Sequence, residues 1–207
     1  DVYKRQLIEG GIFEFMHRII LTDIKPPIYH ELMRVHGRKL NAWIYSQLER
    51  RVPELDEVFF DKLKRWFDYP EENRLEKKLL RAAHYLATQW EFGIIYHFNQ
   101  AIYGIDATKA AIESNIEDHY DLAGVQKISL KGKTSKFIDL VGQLRFQKRW
   151  AQSPRVPETS VMGHVLIVAI LGYFCAAELG ACDERIVNDF LCGLFHDLPE
   201  VLTRDII

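Results

Sequence analysis

Cysteine is scarce. The 207 residues hold three, Cys175, Cys182 and Cys192, with no CxxC pair. The odd number and the scatter exclude a disulfide scaffold and a cysteine zinc site, and they suit a reducing cytoplasm. Seven prolines and twelve glycines are too few for a linker-rich chain. Neither sign of charge dominates: 27 Lys and Arg stand against 29 Asp and Glu, for a formal net charge of −2. A general nucleic-acid binder usually carries a basic excess, so nucleic acid is not expected as a partner. A secretory signal is not expected either. The opening DVYKRQLIEGG has neither a starting Met nor an apolar core, and further residues are expected before Asp1 in the gene. What is present is a folded-protein mixture, 48% hydrophobic and 27% charged.

One long apolar run stands out, VMGHVLIVAILGYFCAA at 161–177. It contains no Asp, Glu, Lys or Arg, yet it includes His164 and is short of the roughly 20 residues a bilayer requires. A buried core helix is expected there, not a membrane span.

The remaining chain reads as helical nearly throughout. Apolar residues recur at three- and four-residue steps over 5–22, 28–51, 54–67 and 71–90. Pro26-Pro27, Pro53 and Pro70 mark the breaks. Residues 92–120 read as two helices divided near Gly104, and 135–150 as another. The stretch 123–135 reads as a solvated loop, and its Lys127, Lys131 and Lys133, with Lys136 beyond, as solvated lysines. Thr159 or Ser160 is expected to cap the apolar helix, which ends near Gly180, and Asp183 to cap the next.

A short repeat joins the two ends. GGIFEFMHRIILTDI at 10–24 aligns with CGLFHDLPEVLTRDI at 192–206, with Gly11/Gly193, Phe13/Phe195, Asp23/Asp205 and Ile24/Ile206 identical. Where the second copy has His196-Asp197, the first has Glu14-Phe15. A duplicated unit would thus keep its fold in the first copy and lose the metal chemistry. Two amphipathic helices aligned by chance remain the alternative.

His196-Asp197 follows the apolar run 190–195, a setting in which an imidazole and a carboxylate need partners. A divalent metal is one solution, because neutral His and ionised Asp are both good ligands. His164 within the apolar helix needs a partner too, either as a satisfied core histidine or as a further ligand. Glu200 is either a surface carboxylate or a group that orients or deprotonates water. Asp205 either shares that role or caps the next element. Arg149 is either a surface charge or a bidentate phosphate contact, and Trp150 either core or a wall against a sugar or base.

RW at 149–150, the approach to His164 through ETSVMGH, and HDLPEVLTRD together resemble the HD-domain phosphohydrolases. Within that superfamily the chain is most similar to the bacterial 5′-deoxynucleotidases. The motif HDxxExxTxD reads here as His196, Asp197, Glu200, Thr203 and Asp205. Leu198 excludes the di-iron branch, which needs a second consecutive Asp. The resemblance covers about 143–207. It implies His164, His196 and Asp197 as ligands of a divalent ion (Mn, Co, Mg, Zn or Fe). Glu200 would position the attacking water, and Asp205 would activate it or contact the sugar. Arg149 would meet the phosphate, and Trp150 would exclude a 2′-hydroxyl. The family's fourth ligand is an Asp on a later helix, whereas this sequence ends at Ile207: either the native protein continues, or the ligand comes from elsewhere, or this polypeptide does not hold metal tightly. Residues 10–90 resemble the back half of an altered copy, with His84 where the family carries an Asp.

The expectation is therefore an all-α HD-domain helical bundle. Residues 135–207 would form the front half of an HD domain, and 1–134 part of a degenerate copy with connecting helices. The implied activity is metal-dependent hydrolysis of nucleotide monophosphates in the cytoplasm, with a small nucleotide as partner, no membrane, and a homo-oligomer left open. The alternative is a catalytically incomplete HD module that binds nucleotide or serves as a scaffold.

Overall fold

The computed structural model describes residues 2–22, 24, 26–150, 153 and 156–203, with only the backbone for 26–28 and 30. The described residues form ten helices and no strand: α1 Val2–Leu21, α2 Pro26–Arg51, α3 Glu57–Asp68, α4 Arg74–Phe98, α5 Ile105–Glu117, α6 Ala123–Ser129, α7 Lys133–Gln143, α8 Val161–Glu178, α9 Asp183–Phe195 and α10 Glu200–Thr203. The all-α class is as expected. The chain divides into two compact units, Gln6–Leu80 and Asp1–Arg5 with Arg81–Ile207.

In the first unit α1 buries Glu9, Gly10, Ile12, Phe13, His17, Ile20 and Leu21, a face turned from the apolar period of its sequence, which leaves Ile19 52% exposed. Phe13 packs edge-on to Phe59 of α3, with ring centroids 5.1 Å apart. Gly10 is required by the same packing: a Cβ there would lie 2.3 Å from the Trp66 ring. Asp56 caps α3 by accepting from the Phe59 amide at 3.0 Å. One expectation is corrected here. Pro26 and Pro27 open α2 and do not merely end α1. The first turn of a helix has no use for the missing N–H, and proline's fixed φ is already helical.

Among the described residues, two of the apolar clusters lie in the second unit. Ala82, Ile116 and Val125 form one, with Tyr85, Leu86, Ile112 and Leu122 against it. Leu144, Val161, Val165 and Val201 form the other, with Leu140, Met162, Leu194 and Leu198. The expected loop at 123–135 is corrected: it contains α6, because burying Val125 in the first cluster fixes a turn of helix there. Its lysines are exposed, as expected. The break at Gly104 is also as expected, with φ +77° before α5. Ser160 caps α8 and Gly180 (φ +66°) follows its end.

The elements around the second cluster depart from expectation in three places. The helix expected over 135–150 stops at Gln143, so Arg149 and Trp150 lie on irregular chain. The cap of α9 falls on Cys182, while Asp183 is bound by Arg5 at 2.6 Å. And α8 is buried on one stripe only, through Val161, Val165, Ala169, Tyr173 and Ala176, with Leu171 57% exposed on another face. It is the one helix among the described residues long and apolar enough to cross a membrane.

Candidate metal centre

Helices α8 and α9 cross closely because small residues face each other. A Cβ on Gly193 would lie 2.8 Å from the Ala169 Cα, and one on Gly172 would lie 3.3 Å from the Asp189 carbonyl. Ala169 opposite Gly193 and Gly172 opposite Asp189 define an antiparallel register. Continued toward the start of α8, that register brings His164 opposite the residues that follow α9. These are the turn 196–199, in which His196 is the C-cap residue.

Two imidazoles and a carboxylate meet there. One ligand atom from each of His164, His196 and Asp197 can be chosen so that all lie within 4.8 Å of one another. His164 Nε2 is 3.4 Å from Asp197 Oδ2, and His196 Nε2 is 3.2 Å from Oδ1. The two rings stand edge to face with centroids 5.3 Å apart. His196 Nδ1 lies 2.8 Å from the Gly193 carbonyl. A carbonyl can only accept, so Nδ1 carries the proton and Nε2 presents its lone pair to the cluster. The Asp197 side chain is only 15% exposed, whereas His196 lies nearer the surface than its apolar approach predicts.

The donor set fits a divalent ion. Ligand atoms about 2.0–2.2 Å from one ion lie at most about 4.4 Å apart, so a closure of a few tenths of an ångström suffices. Two nitrogens and a carboxylate oxygen suit Mn, Co, Zn or Fe, and Mg less well.

Arg149 reaches the cluster from the irregular segment. Its Nη1 donates to Asp197 Oδ2 at 2.8 Å and lies 3.5 Å from Glu200 Oε1. The segment is held by the start of α8. The first amide groups of a helix have no partner within it. Here the Val161 amide donates to the Gln147 carbonyl (2.9 Å), Met162 to Leu144 (3.2 Å) and Gly163 to the Ser160 hydroxyl (3.0 Å). The Arg149 amide donates to the Thr159 carbonyl at 2.8 Å, beside an antiparallel bridge between Lys148 and Ser160. Capping α8 therefore fixes Arg149 beside the cluster.

Trp150 has φ +54°, an unusual conformation for a bulky side chain, and its indole is exposed. Glu200 begins α10 after the turn, so it is not one turn along a continuous helix. Asp205 lies outside the described residues. Sequence reasoning misses Gln147. Its side-chain amide donates to the Val201 carbonyl at 3.4 Å, tying the Arg149 segment to the helix of Glu200. A polar residue two positions before Arg149 is the only sequence signal for it.

Comparison with curated proteins and with solved structures gives no match. Residues 141–207, which carry all seven residues singled out for chemistry, match the family model described as HD domain.

Proposed function

We propose that this chain is a metal-dependent phosphohydrolase that acts on nucleoside 5′-monophosphates, with preference for the deoxy sugar. HD domains are generally metal-dependent hydrolases. The observation that carries the reading is the convergence of His164, His196 and Asp197, with Arg149 on the same carboxylate. In this reading those three side chains hold a divalent cation, which when bound supplies Lewis acidity toward a phosphoryl oxygen and the attacking water. Arg149 sets a fixed positive charge against the phosphate dianion. Glu200, 18% exposed and 3.5 Å from Arg149 Nη1, is the group we assign to accept the proton of the attacking water. Trp150 is assigned to the sugar, where an indole would crowd a 2′-hydroxyl, and Asp205 to water activation or a sugar contact. The substrate is a small nucleotide, in keeping with the net charge of −2. The compartment we assign is the cytoplasm, consistent with three exposed free thiols.

The test is phosphate release from paired deoxy- and ribonucleoside monophosphates with added Mn²⁺. Wild type should favour the deoxy substrates, His196→Ala should abolish release, and Trp150→Ala should raise the ribo/deoxy ratio. Release unaffected by His196→Ala would refute the reading. A second reading, a nucleotide-binding module without turnover, is favoured by the cluster's offering three ligands among the described residues. It predicts Mn²⁺-dependent nucleotide binding with no phosphate released.

A further inference from the structure

Asp197 serves two kinds of partner with one oxygen. Its Oδ2 accepts from Arg149 Nη1 at 2.8 Å and also lies 3.4 Å from His164 Nε2. This is the carboxylate edge that an ion shared by His164 and Asp197 would use. The pair is shielded from water, with 22% of the Arg149 side chain and 15% of the Asp197 side chain exposed, so the electrostatic coupling is stronger than at an open surface. With neutral imidazoles, Arg149, Asp197 and Glu200 together carry one net negative charge. A divalent cation reverses that sign and sets itself against the guanidinium. A phosphate dianion restores the sign and offers the guanidinium a bidentate partner.

The main chain at Arg149 is pinned by the hydrogen bond its amide donates to the Thr159 carbonyl and by the Lys148–Ser160 bridge. The long side chain can therefore change partners without moving the backbone.

We propose that Arg149 is an exchangeable counter-ion of Asp197. It pairs with the ligand carboxylate and weakens cation binding until a phosphate group draws the guanidinium away, so that cation and phosphate bind cooperatively. This rests on the metal reading above and adds a linkage between the two ligands. By reciprocity, a bound cation strengthens phosphate binding by the same factor.

Calorimetric titration of the whole chain with Mn²⁺, with and without inorganic phosphate, tests it without any turnover. In wild type, phosphate should tighten Mn²⁺ binding by about tenfold or more. Arg149→Gln should bind Mn²⁺ about tenfold more tightly than wild type in the absence of phosphate, and should gain much less from phosphate. Circular dichroism checks that the variant is folded. If Arg149→Gln fails to fold, Arg149→Lys takes its place. It keeps the charge but not the fork, so Mn²⁺ binding should stay weak and the gain from phosphate should shrink. Equal or weaker Mn²⁺ binding by Arg149→Gln, or an undiminished gain in Arg149→Lys, overturns the counter-ion role and leaves the metal site standing. No Mn²⁺ binding by wild type in either condition overturns the metal reading as well.

Discussion

Gly193 puts the packing argument at risk in a single substitution. Helix propensity alone says that Gly193→Ala in α9 should stabilise the protein by about 1 kcal/mol. The structure predicts the opposite sign. The added Cβ would lie 2.8 Å from the Ala169 Cα, 3.0 Å from its amide nitrogen and 3.1 Å from the Val168 carbonyl carbon. All three are backbone atoms, so no side chain can rotate away. Carbon–carbon contacts settle at about 3.5–4.0 Å, so α9 must retreat from α8 by roughly 0.7–1.2 Å. Overpacking of this kind costs about 1–3 kcal/mol, and with rigid backbone opposite the upper half of that range applies. After the gain in propensity, a net loss of about 1–2 kcal/mol remains. For a unit of this size that lowers the melting temperature by about 4–8 °C. The retreat also separates His196 from His164, so Mn²⁺ affinity should fall by about tenfold or more, given the sensitivity of such sites to displacements near 1 Å. Gly93→Ala is the control. Gly93 lies inside α4, where an added Cβ would meet nothing within 4 Å, and the change should stabilise by about 0.5–1 kcal/mol. Thermal melts by circular dichroism and a Mn²⁺ titration of both variants decide it. A Gly193→Ala protein that melts higher than wild type, as Gly93→Ala should, would refute the close approach of α8 and α9.

Other perturbations test separate parts of the molecule. Ser160→Ala removes the hydroxyl that accepts from the Gly163 amide, and should cost about 1 kcal/mol in urea unfolding. Asp56→Ala should cost a similar amount in the other unit, where it uncaps α3. His17 is 2% exposed, stacks on Phe67 with centroids 4.3 Å apart, and lies 3.3 Å from Asn41. Burial holds its pKa below the ordinary value of 6.5, against the raising effect of Asn41 and with a further lowering by Arg18. Below pH 6.5 the unfolded chain therefore takes up a proton that the folded chain refuses, so stability is fully present above that pH and declines as the pH falls toward the folded pKa. Urea unfolding across about pH 5 to 8 should show that decline in wild type and a shallower one in His17→Gln. Identical slopes would show that His17 titrates normally.

The helices are legible because their apolar residues keep a helical step, but several of their ends are set by distant demands. Leu140 and Leu144 continue the pattern of α7, and nothing local to 144–150 says that the helix should stop. It stops where the carbonyls of Leu144 and Gln147 turn to receive the first amides of α8. Pro26 and Pro27 read as a stop because proline breaks a helix interior, whereas the first turn tolerates it. Residues 123–129 look like a loop because lysine and glycine surround one Val, and that Val decides the conformation by entering the cluster of Ala82 and Ile116.

The site divides along the same line. His164 and His196 can be named from their unusual positions in apolar sequence, but they are far apart in the chain, and no spacing rule brings them together. The signal that does so is Ala169, Gly172 and Gly193, small residues that let two helix backbones meet in one register. Arg149 can be proposed as a phosphate ligand from its charge. Its bond to Asp197 cannot, because it depends on how α8 is capped: the chain that satisfies the first amides of that helix also delivers the guanidinium to the carboxylate. Disturbing the cap should therefore reach the cation site. Ser160→Ala, which touches none of the five clustered side chains, should change Mn²⁺ affinity as well as stability, whereas Asp56→Ala should change stability alone. Equal Mn²⁺ affinity in the two variants would break the link between capping and the site.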